Sequence, residues 1–597
     1  MEKRTVIQWD KNDLESLEMM KVDVLGLGML TLIRRAMEEI SQLRNAEFEM
    51  DSIPKEDPEV YDMLCAGESM GVFQVESRAQ MSMLPRLQPR VFYDLVIEVA
   101  IVRPGPIQGG MVHPYLRRRQ GLEPVTYPSK AVRGVLKRTL GVSIFQEQVM
   151  QLAMVAAGFT DADANQLRKA MGAWKRTGGL EIFEQRIRDG MKGKYTAEYA
   201  EQLCKQIQGF GEYGFPESHA NSFALLVYVS SWLKRHEPAI FLLALLNSQP
   251  LGFYSPSQLV QDAQRNGVEV LSVDVNASDY DAKLEQDEER QAAWRDVFEA
   301  RLARGDFINP PEPQREEEEG EEEQEEVFIV KPDKVEPGYY KGSGELRENI
   351  YPPKQPHQPA PQAAVRLGLR KIANLSEAGA KRLIEARRVG PYTDVHDLTR
   401  RAGLDRADLE ALAAADALAS ISGHRRRAVW DVIGVEAPIP LTPEAATPES
   451  FANLAPPTEN EDLGQDYASL SLTLRRHPLA LLRPLLVKRR LYNSAELRTY
   501  PHGRLARACG IVTGRQRPGT AKGTIFVTLE DETGYVNVVC WPSMIEQFRR
   551  EILLSRLMTV YGVWETDGKV AHLIAKRVVD DTALIEWLET PRSRDFH

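Results

Sequence analysis

The chain has few cysteines, and their spacing points to neither a metal site nor a disulfide framework. The four cysteines, Cys65, Cys204, Cys509 and Cys540, lie far apart in 597 residues and form no CxxC or Cys/His pair. Zinc ribbons and disulfide-stapled domains are therefore not expected. This cysteine usage is typical of a protein that works in a reducing cytoplasm.

An apolar stretch of membrane-spanning length is also lacking. The best candidate, residues 223–246, is interrupted by the charged residues 234–237 and by Pro238, which leave pieces too short to cross a bilayer. The first fifteen residues carry charges within four positions and no apolar core of a signal peptide. We therefore predict no membrane role.

The chain has no excess of positive charge. Its formal net charge is −11, but residues 312–326 contain ten Glu and one Arg and account for −9 of it, leaving about −2 elsewhere. Global charge therefore does not decide whether nucleic acid is a partner, and local basic clusters must be considered instead. The acidic run itself predicts a solvated, disordered segment, with a DNA-mimicking tail as the alternative.

What the sequence does contain is enough chain for about three to five domains. Apolar periodicity predicts mostly helix over residues 56–250, a Glu- and Pro-rich insertion over 283–362, and short helices again from 365 to 430. One further helix is predicted near 475–488. Near the C-terminus, alternating segments predict five strands at 508–513, 524–529, 535–541, 558–564 and 570–575. Five short strands in about 70 residues indicate a small closed barrel of the OB type.

Two N-terminal patterns stand out. Leu30, Ile33, Met37 and Ile40 predict one buried helix face. Before them, the run KVDVLGLGMLT alternates like a strand and projects Asp23 away from its apolar neighbours. A carboxylate on a rigid strand before a glycine turn suits Mg²⁺. Taken alone, however, the pattern is more simply explained by a solvated Asp on a strand face, since charged side chains are usually exposed.

Six sequence blocks in order then carry a family resemblance. They are KVDVLGLGMLT, GVFQVESRAQM, RPGPIQGGMV, IFQEQVMQLA, LRKAMGAWK and YGFPESHANSFALLVY, over residues 21–228. Together they resemble the catalytic alpha subunit of bacterial DNA polymerase III, the C family of DNA polymerases, and most closely its error-prone branch. The resemblance covers nearly the whole chain and fails only in the acidic and Pro-rich insertion.

The resemblance implies a multidomain α+β architecture. It comprises a palm remnant, a large and mostly helical fingers domain, tandem helix-hairpin-helix modules and a C-terminal OB-type β-barrel. The expected boundaries are palm remnant 1–50, fingers 51–282, disordered insertion 283–362, helix-hairpin-helix 363–434, connector with a helix 435–500, barrel 501–580 and tail 581–597.

The resemblance also implies a metal site. Family members hold two Mg²⁺ ions with three palm aspartates, and Asp23 matches the third of these. The block that carries the first two, PDxDxDF-like, has no counterpart here, and the acidic segment 273–281 matches a non-catalytic family segment. One carboxylate does not hold both ions. We therefore interpret the chain as the C-terminal portion of a polymerase: a truncated product, an alternative start, or one half of a split enzyme.

Several fingers residues are expected to bind the nucleotide. Arg103 precedes Pro104, whose restricted backbone fixes its approach, and LRKAMGAWK supplies Arg168, Lys169 and Lys175. Arg168 and Lys175 share one face if this segment is helical. These cations suit a triphosphate, while a solvated basic helix face is the alternative.

The segment YGFPESHANSF adds Tyr213 for base stacking and the family-matched Ser218 and His219. Replicative relatives typically carry Asn-Lys where this chain has Pro216 and Glu217. The exchange supports the error-prone branch and weakens the direct transfer of replicative contacts. A packing or capping role for His219 is the alternative, and we assign it no proton transfer.

Residues 365–430 resemble tandem helix-hairpin-helix modules, which present helix N-termini to phosphates without reading sequence. In the first module Asn374 and Ser376 replace the usual glycines; Asn tolerates the left-handed conformation, but Ser fits it less well. The second module offers the DNA-binding candidates Gly423, His424, Arg425 and Arg426. A solvated helix end is the alternative reading.

In the barrel, Arg515, Arg517 and Lys522 are expected to decorate the loop between the first two strands, where OB barrels often bind single strands. Phe526 either stacks on a base or belongs to the core.

Two functions of different class follow. The first is template-directed addition of deoxynucleotides during translesion synthesis and damage-induced mutagenesis. It requires Mg²⁺, dNTPs and a primed DNA template, with a sliding clamp, accessory mutagenesis proteins and a separate N-terminal half as further partners. The second is a non-catalytic DNA-binding fragment of a split or truncated polymerase.

Overall fold

The computed structural model describes most of the chain. The described residues are 9, 11–17, 19, 26–103, 110–177, 180–212, 216–252, 254–285, 362–435, 454–518, 521, 523–568, 570–588 and 594–596, with the short strands at 328–329, 339–340 and 346–347. The acidic run, Asp23, Tyr213 and Lys522 lie outside this set, as does the side chain of Lys175.

The N-terminal half of the described chain is helical. Its helices are α1 (Lys11–Ser16), α2 (Leu27–Arg44), α3 (Pro58–Cys65), α4 (Arg78–Leu87), α5 (Phe92–Ile101), α6 (Val112–Arg119), α7 (Lys130–Leu136), α8 (Gln146–Ala157), α9 (Asp161–Thr177), α10 (Leu180–Met191), α11 (Ala197–Glu212), α12 (Glu217–His236), α13 (Pro238–Asn247) and α14 (Pro256–Arg265). The fingers predicted from the sequence are therefore helical as expected.

Helix α2 confirms the predicted periodicity with one exception. Ile33, Met37 and Ile40 are buried along one face, as a 3.6-residue period requires. Leu30, which the pattern places on that face, is 46 % exposed. Met29 is buried in its place. The predicted face was thus rotated by about one position at its start.

Helix α12 is the centre of this helical region and packs against α2, α3, α5 and α13. Four successive charged or titratable residues lie at its C-terminal end, and they pair with residues of α2, of α14 and of the start of α3. The pairs are Lys234–Asp262, Arg235–Glu59, His236–Asp57 and Glu237–Arg44. The charged residues that interrupt the apolar run 223–246 therefore pack within the fold. Their removal from water is tolerated because each has a partner of opposite charge.

No helix in the part of the chain that the structure describes is long and apolar enough to cross a membrane.

A small sheet joins the fingers to the segment that follows the insertion. Strand β2 (Val270–Leu271) pairs in parallel with β7 (Val365–Arg366), and β3 (Lys283–Leu284) pairs with β7 antiparallel. The boundary predicted at residues 282 and 283 therefore lies inside this sheet. Two further strand pairs are described: β1 (Thr126–Tyr127) pairs with β4 (Phe328–Ile329), and β5 (Tyr339–Tyr340) pairs with β6 (Leu346–Arg347).

Short helices follow β7, and those up to residue 433 continue the same hydrophobic core. They are α15 (Glu377–Arg387), α16 (Val395–Ala402), α17 (Arg406–Ala414), α18 (Ala419–Ser422) and α19 (Arg425–Ile433), and then α20 (Glu459–Leu470), α21 (Pro478–Lys488) and α22 (Ser494–Arg498). Helix α21 confirms the helix predicted near 475–488. Because one core runs from the fingers through α15–α19, these two regions pack together. Buried residues of α21 and α22 belong to other hydrophobic clusters.

The C-terminal region is a closed five-stranded barrel. Strands β8 (Leu505–Gln516), β9 (Ile525–Asp531), β10 (Gly534–Cys540), β11 (Leu557–Thr566) and β12 (Ala571–Asp580) are arranged β11-β12-β10-β9-β8, and β11 closes on β8. Helices α23 (Pro542–Gln547) and α24 (Arg549–Leu554) connect β10 to β11, and β13 (Arg594–Phe596) adds to β8. The barrel encloses its own hydrophobic cluster, and the five predicted strands are confirmed.

Candidate functional site

Several motifs that are far apart in the sequence converge at the start of α12. Gly26, three residues beyond Asp23, has φ of 76°, and a Cβ there would lie 3.8 Å from the Phe73 ring. Phe73 packs edge-on against Phe223 with ring centroids 5.1 Å apart, and the His219 ring lies 4.2 Å from Phe223. The end of KVDVLGLG, GVFQ and ESHANSF thus meet in one aromatic cluster.

Arg103 belongs to the same neighbourhood. Its Nε donates to the Val99 carbonyl at 3.2 Å, which holds the side chain back against the end of α5. Burial lowers the pKa of His219, and the positive charge of Arg103 lowers it further. His219 is therefore a neutral ring at neutral pH, an arrangement that suits packing beside a cation.

Glu217 is held by residues of the fingers. Its carboxylate accepts a hydrogen bond from the Tyr93 hydroxyl at 2.9 Å and lies 3.2 Å from Arg138 Nη1. The Arg138 guanidinium stacks over the Tyr93 ring at 3.7 Å, and the Glu217 backbone N–H donates to Glu147 at 2.9 Å. Tyr93 and Arg138 were missed by sequence reasoning, because no local pattern distinguishes them.

The other nucleotide candidates lie on α9 and on the first turn of α12. The segment carrying Arg168, Lys169 and Lys175 is helical, as predicted, because it falls within α9. Arg168 and Lys169 are exposed, and Arg168 donates to the Asn165 side chain through Nε and Nη2. Ser218 is exposed on the first turn of α12.

We find no metal centre in the described ranges. No three His, Cys, Asp or Glu side chains there are grouped so as to hold an ion. The acidic segment 273–281 is instead used internally: Arg387 binds Asp279, and Arg370 binds Asp281 at 2.7 Å. The described side chains therefore do not fit a Mg²⁺ ion, and we derive no metal-dependent step from them.

The two helix-hairpin-helix turns are formed in different ways. Asn374 adopts φ of 65°, as expected of the residue that replaces a glycine. Ser376 has an ordinary extended backbone with φ of −72°, so the expected misfit is wrong; its hydroxyl instead caps α15 by accepting from Gly379 N–H. Gly423 has φ of 83°, and His424 caps α19 by accepting from Arg427 N–H at 3.2 Å.

The two arginines that follow both form ion pairs with α20, Arg425 in the interior and Arg426 at the surface. Arg425 is 4 % exposed and forms ion pairs with Asp462 and Asp466 on α20. Arg426 pairs with Glu461 at 2.9 Å and donates to the Ala455 carbonyl. The prediction that Arg425 is placed for phosphate contact is wrong, because α20 supplies carboxylates that the sequence of the hairpin does not reveal.

The candidate DNA-binding residues of the barrel differ in their exposure. Arg515 lies in strand β8, not in the loop, and is 6 % exposed; it donates to the carbonyls of Ile552 and Ser555 at 2.6 Å. Its predicted position was wrong, because β8 extends further than the alternation indicated. Arg517 is exposed. Phe526 is half-buried and faces away from the core, beneath the guanidinium of Arg78.

Comparisons with known proteins agree with this architecture. Residues 29–195 match the bacterial DNA polymerase III alpha subunit finger domain, residues 346–428 match a helix-hairpin-helix motif, and residues 506–580 match an OB-fold nucleic acid binding domain.

Curated relatives match the entire chain. It is 52 % identical over 595 residues to an error-prone DNA polymerase of Alkalilimnicola ehrlichii, 51 % identical over 601 residues to that of Methylococcus capsulatus, and 50 % identical over 602 residues to that of Azoarcus sp.. These matches include all of this chain and 51 %, 52 % and 50 % of the respective relatives. The chain thus spans about half the length of the relatives it matches.

Proposed function

Because the chain belongs to the bacterial DNA polymerase III alpha-subunit family, we propose that it supplies the fingers and DNA-binding parts of an error-prone DNA-directed DNA polymerase, corresponding to the C-terminal portion of that enzyme. Its activity is addition of dNTPs to a primer during translesion synthesis. Identity of about 50 % along the whole chain to proteins named error-prone DNA polymerase supports this assignment.

The single observation that carries the proposal is the convergence of motifs at the start of α12. Phe73, Phe223 and His219 come from two distant blocks and pack together, next to Gly26 at the end of the block that contains Asp23. A common site explains why separate blocks of the sequence meet at one place. We propose that residues 1–50 form a palm remnant beside it.

Within this site we propose distinct roles. Asp23 would be one ligand of Mg²⁺, and this ion would supply charge neutralisation for nucleotidyl transfer. Arg103 contacts the triphosphate, and Arg168, Lys169 and Lys175 contribute positive charge along its path. Tyr213 stacks on the base, and Ser218 and His219 line the nucleotide side of α12.

Nucleic-acid contacts outside this site are proposed for the modules. The hairpin at Gly423 and His424 presents the N-terminus of α19 to the DNA backbone, and Arg426 on the first turn of this helix adds positive charge. Arg517 and Lys522 act on a single strand at the barrel. A sliding clamp and accessory mutagenesis proteins are the proposed partners, and the cytoplasm the proposed location.

Primer extension tests the polymerase proposal. We expect the purified chain to extend a primer only when the remaining half of the relatives' length is added as a second polypeptide. In that mixture Arg103→Ala raises the KM for dNTP, whereas Arg117→Ala, which removes an exposed arginine paired with Glu123, leaves it unchanged. Equal KM values for the two variants would remove Arg103 from the nucleotide site.

A non-catalytic DNA-binding fragment is the second candidate. It is favoured by the two nucleic-acid modules that the family comparisons match. DNA binding without extension, in the presence of the complementing half, would support this candidate over the first.

A further inference from the structure

One face of the barrel is defined by the outward side chains of two adjacent strands. Inward residues of β9 and β10, such as Val527 and Val536, belong to the barrel core, so their alternate neighbours point outward. The outward residues, here named the β9–β10 face, are Phe526, Thr528 and Glu530 on β9 and Tyr535, Asn537 and Val539 on β10. In OB barrels this pair of strands is where oligonucleotides bind.

Helix α4 covers one end of the β9–β10 face. The Arg78 guanidinium lies 5.1 Å from the centroid of the Phe526 ring, and its Nη2 is 3.5 Å from the Val538 carbonyl. Val539, the register partner of Phe526, is only 6 % exposed although it points outward. The position at which a base would stack on Phe526 is therefore already taken by a cation.

The other end is covered from α14 and α21. The Arg265 guanidinium lies 5.2 Å from the Tyr535 ring centroid, and its Nη2 is 3.5 Å from the Tyr535 hydroxyl. Glu530, the register partner of Tyr535, is 5 % exposed and lies 3.3 Å from His477 Nε2 at the start of α21. Both ends of the face are thus in contact with other parts of the same chain.

A third contact ties the barrel rim to α4. Arg86 Nη2 lies 2.9 Å and its Nε 3.1 Å from the Asp567 carboxylate, in the loop between β11 and β12. This loop is the second element that OB barrels use for nucleic acid. The three contacts share one pattern, because in each of them an arginine of the fingers contacts a side chain on the ligand-binding side of the barrel.

The covered state has an internal cost at Arg78. Its Nη1 is buried and finds no acceptor within the described part of the chain, and a buried donor without a partner is unfavourable. Burial lowers the pKa of this guanidinium to about 10. A phosphate anion that reached Arg78 would satisfy this donor, so the docked contact is poised to be displaced.

We infer that the fingers and single-stranded DNA compete for the β9–β10 face, so that α4 and α14 keep this face covered until a single strand displaces them. This inference rests on the proposed function, in which the barrel binds single strands. On opening, Arg78, Arg86 and Arg265 become available to phosphates. The contact therefore restrains single-strand binding in the resting chain and adds cations to the site once it opens.

A pair of matched charge variants tests the competition in the full chain. Asp567→Lys replaces the partner of Arg86 with a like charge, whereas Glu565→Lys makes the same charge change two residues away at an exposed position of β11. The probe is a short labelled oligothymidine, and its affinity is measured by fluorescence anisotropy. We expect Asp567→Lys to raise affinity about threefold to fivefold more than Glu565→Lys, which is the size of an exposed ion pair.

Hydrogen exchange gives an independent readout. Saturating oligothymidine should raise exchange of the α4 amides, Arg78–Leu87, in the unmodified chain, because these are released from the barrel. Equal affinity gains for the two lysine variants, or α4 exchange unchanged by oligothymidine, would overturn the competition while leaving single-strand binding intact. If no variant binds oligothymidine, the barrel's proposed role fails, and the competition fails with it.

Discussion

Replacement of Arg425 by Ala separates a structural role from a DNA-binding role at the second hairpin. The Arg425 guanidinium is buried between α19 and α20, where Nη1 donates to Asp462 Oδ1 at 2.5 Å and to the Asp462 carbonyl at 3.0 Å, and Nη2 binds Asp466. Removal of one member of a buried ion pair leaves an uncompensated charge and costs about 3–5 kcal/mol. Arg475 lies 3.3 Å and 3.4 Å from the same two carboxylates, so we expect the lower end, about 3 kcal/mol.

The experiment has to measure local stability, because a multidomain chain does not unfold in a single transition. Hydrogen exchange of the α19 amides, Arg425–Ile433, should accelerate roughly a hundredfold for a loss of about 3 kcal/mol. The control is Arg426→Ala, which removes the neighbouring but exposed arginine, whose ion pair with Glu461 is worth below about 1 kcal/mol. Equal acceleration in the two variants, or loss of DNA affinity in Arg425→Ala without any change in exchange, would refute the assignment of Arg425 to the protein interior.

Three further predictions concern catalysis, the barrel and acid stability. Asp23→Asn should abolish incorporation in the reconstituted polymerase while leaving DNA affinity nearly unchanged; unchanged turnover would remove Asp23 from the site. Arg517→Ala should weaken oligothymidine binding and reduce the slope of its salt dependence by about 1. Arg515→Ala should instead lower the thermal midpoint of the barrel, because the Arg515 guanidinium bridges the carbonyls of Ile552 and Ser555. An unaltered slope in the first variant, or an unaltered midpoint in the second, would contradict these roles. Burial, reinforced by Arg78 and Arg86, lowers the pKa of His572 from 6.5 to about 4, so the unfolded chain binds the proton more readily and stability should fall as pH drops from about 6.5 towards 4. His572→Gln should flatten the pH dependence of the unfolding midpoint in that window, and an unchanged dependence would assign it to other groups.

Local periodicity was enough to predict the elements whose conformation depends mainly on residues within the same segment. The helix at α2, the helix that carries Arg168 and the five barrel strands all follow from spacing of apolar residues, because backbone hydrogen bonding and burial of one face are set within a few positions. Asn374 was also predictable, since a left-handed turn favours a residue with a short polar side chain. The ordered sequence blocks likewise carry the family resemblance by themselves, because each block is a local run of residues.

The environment of each charged side chain was decided only by the tertiary structure. Arg425 meets carboxylates 37 and 41 positions away, and Phe526 meets an arginine 448 positions earlier in the chain. Nothing within a helix or strand period distinguishes these residues from solvated ones such as Arg426 or Arg517. The sequence by itself therefore determined the elements, their order and the family, while the fold decided which cations are internal, because that depends on partners supplied by distant segments.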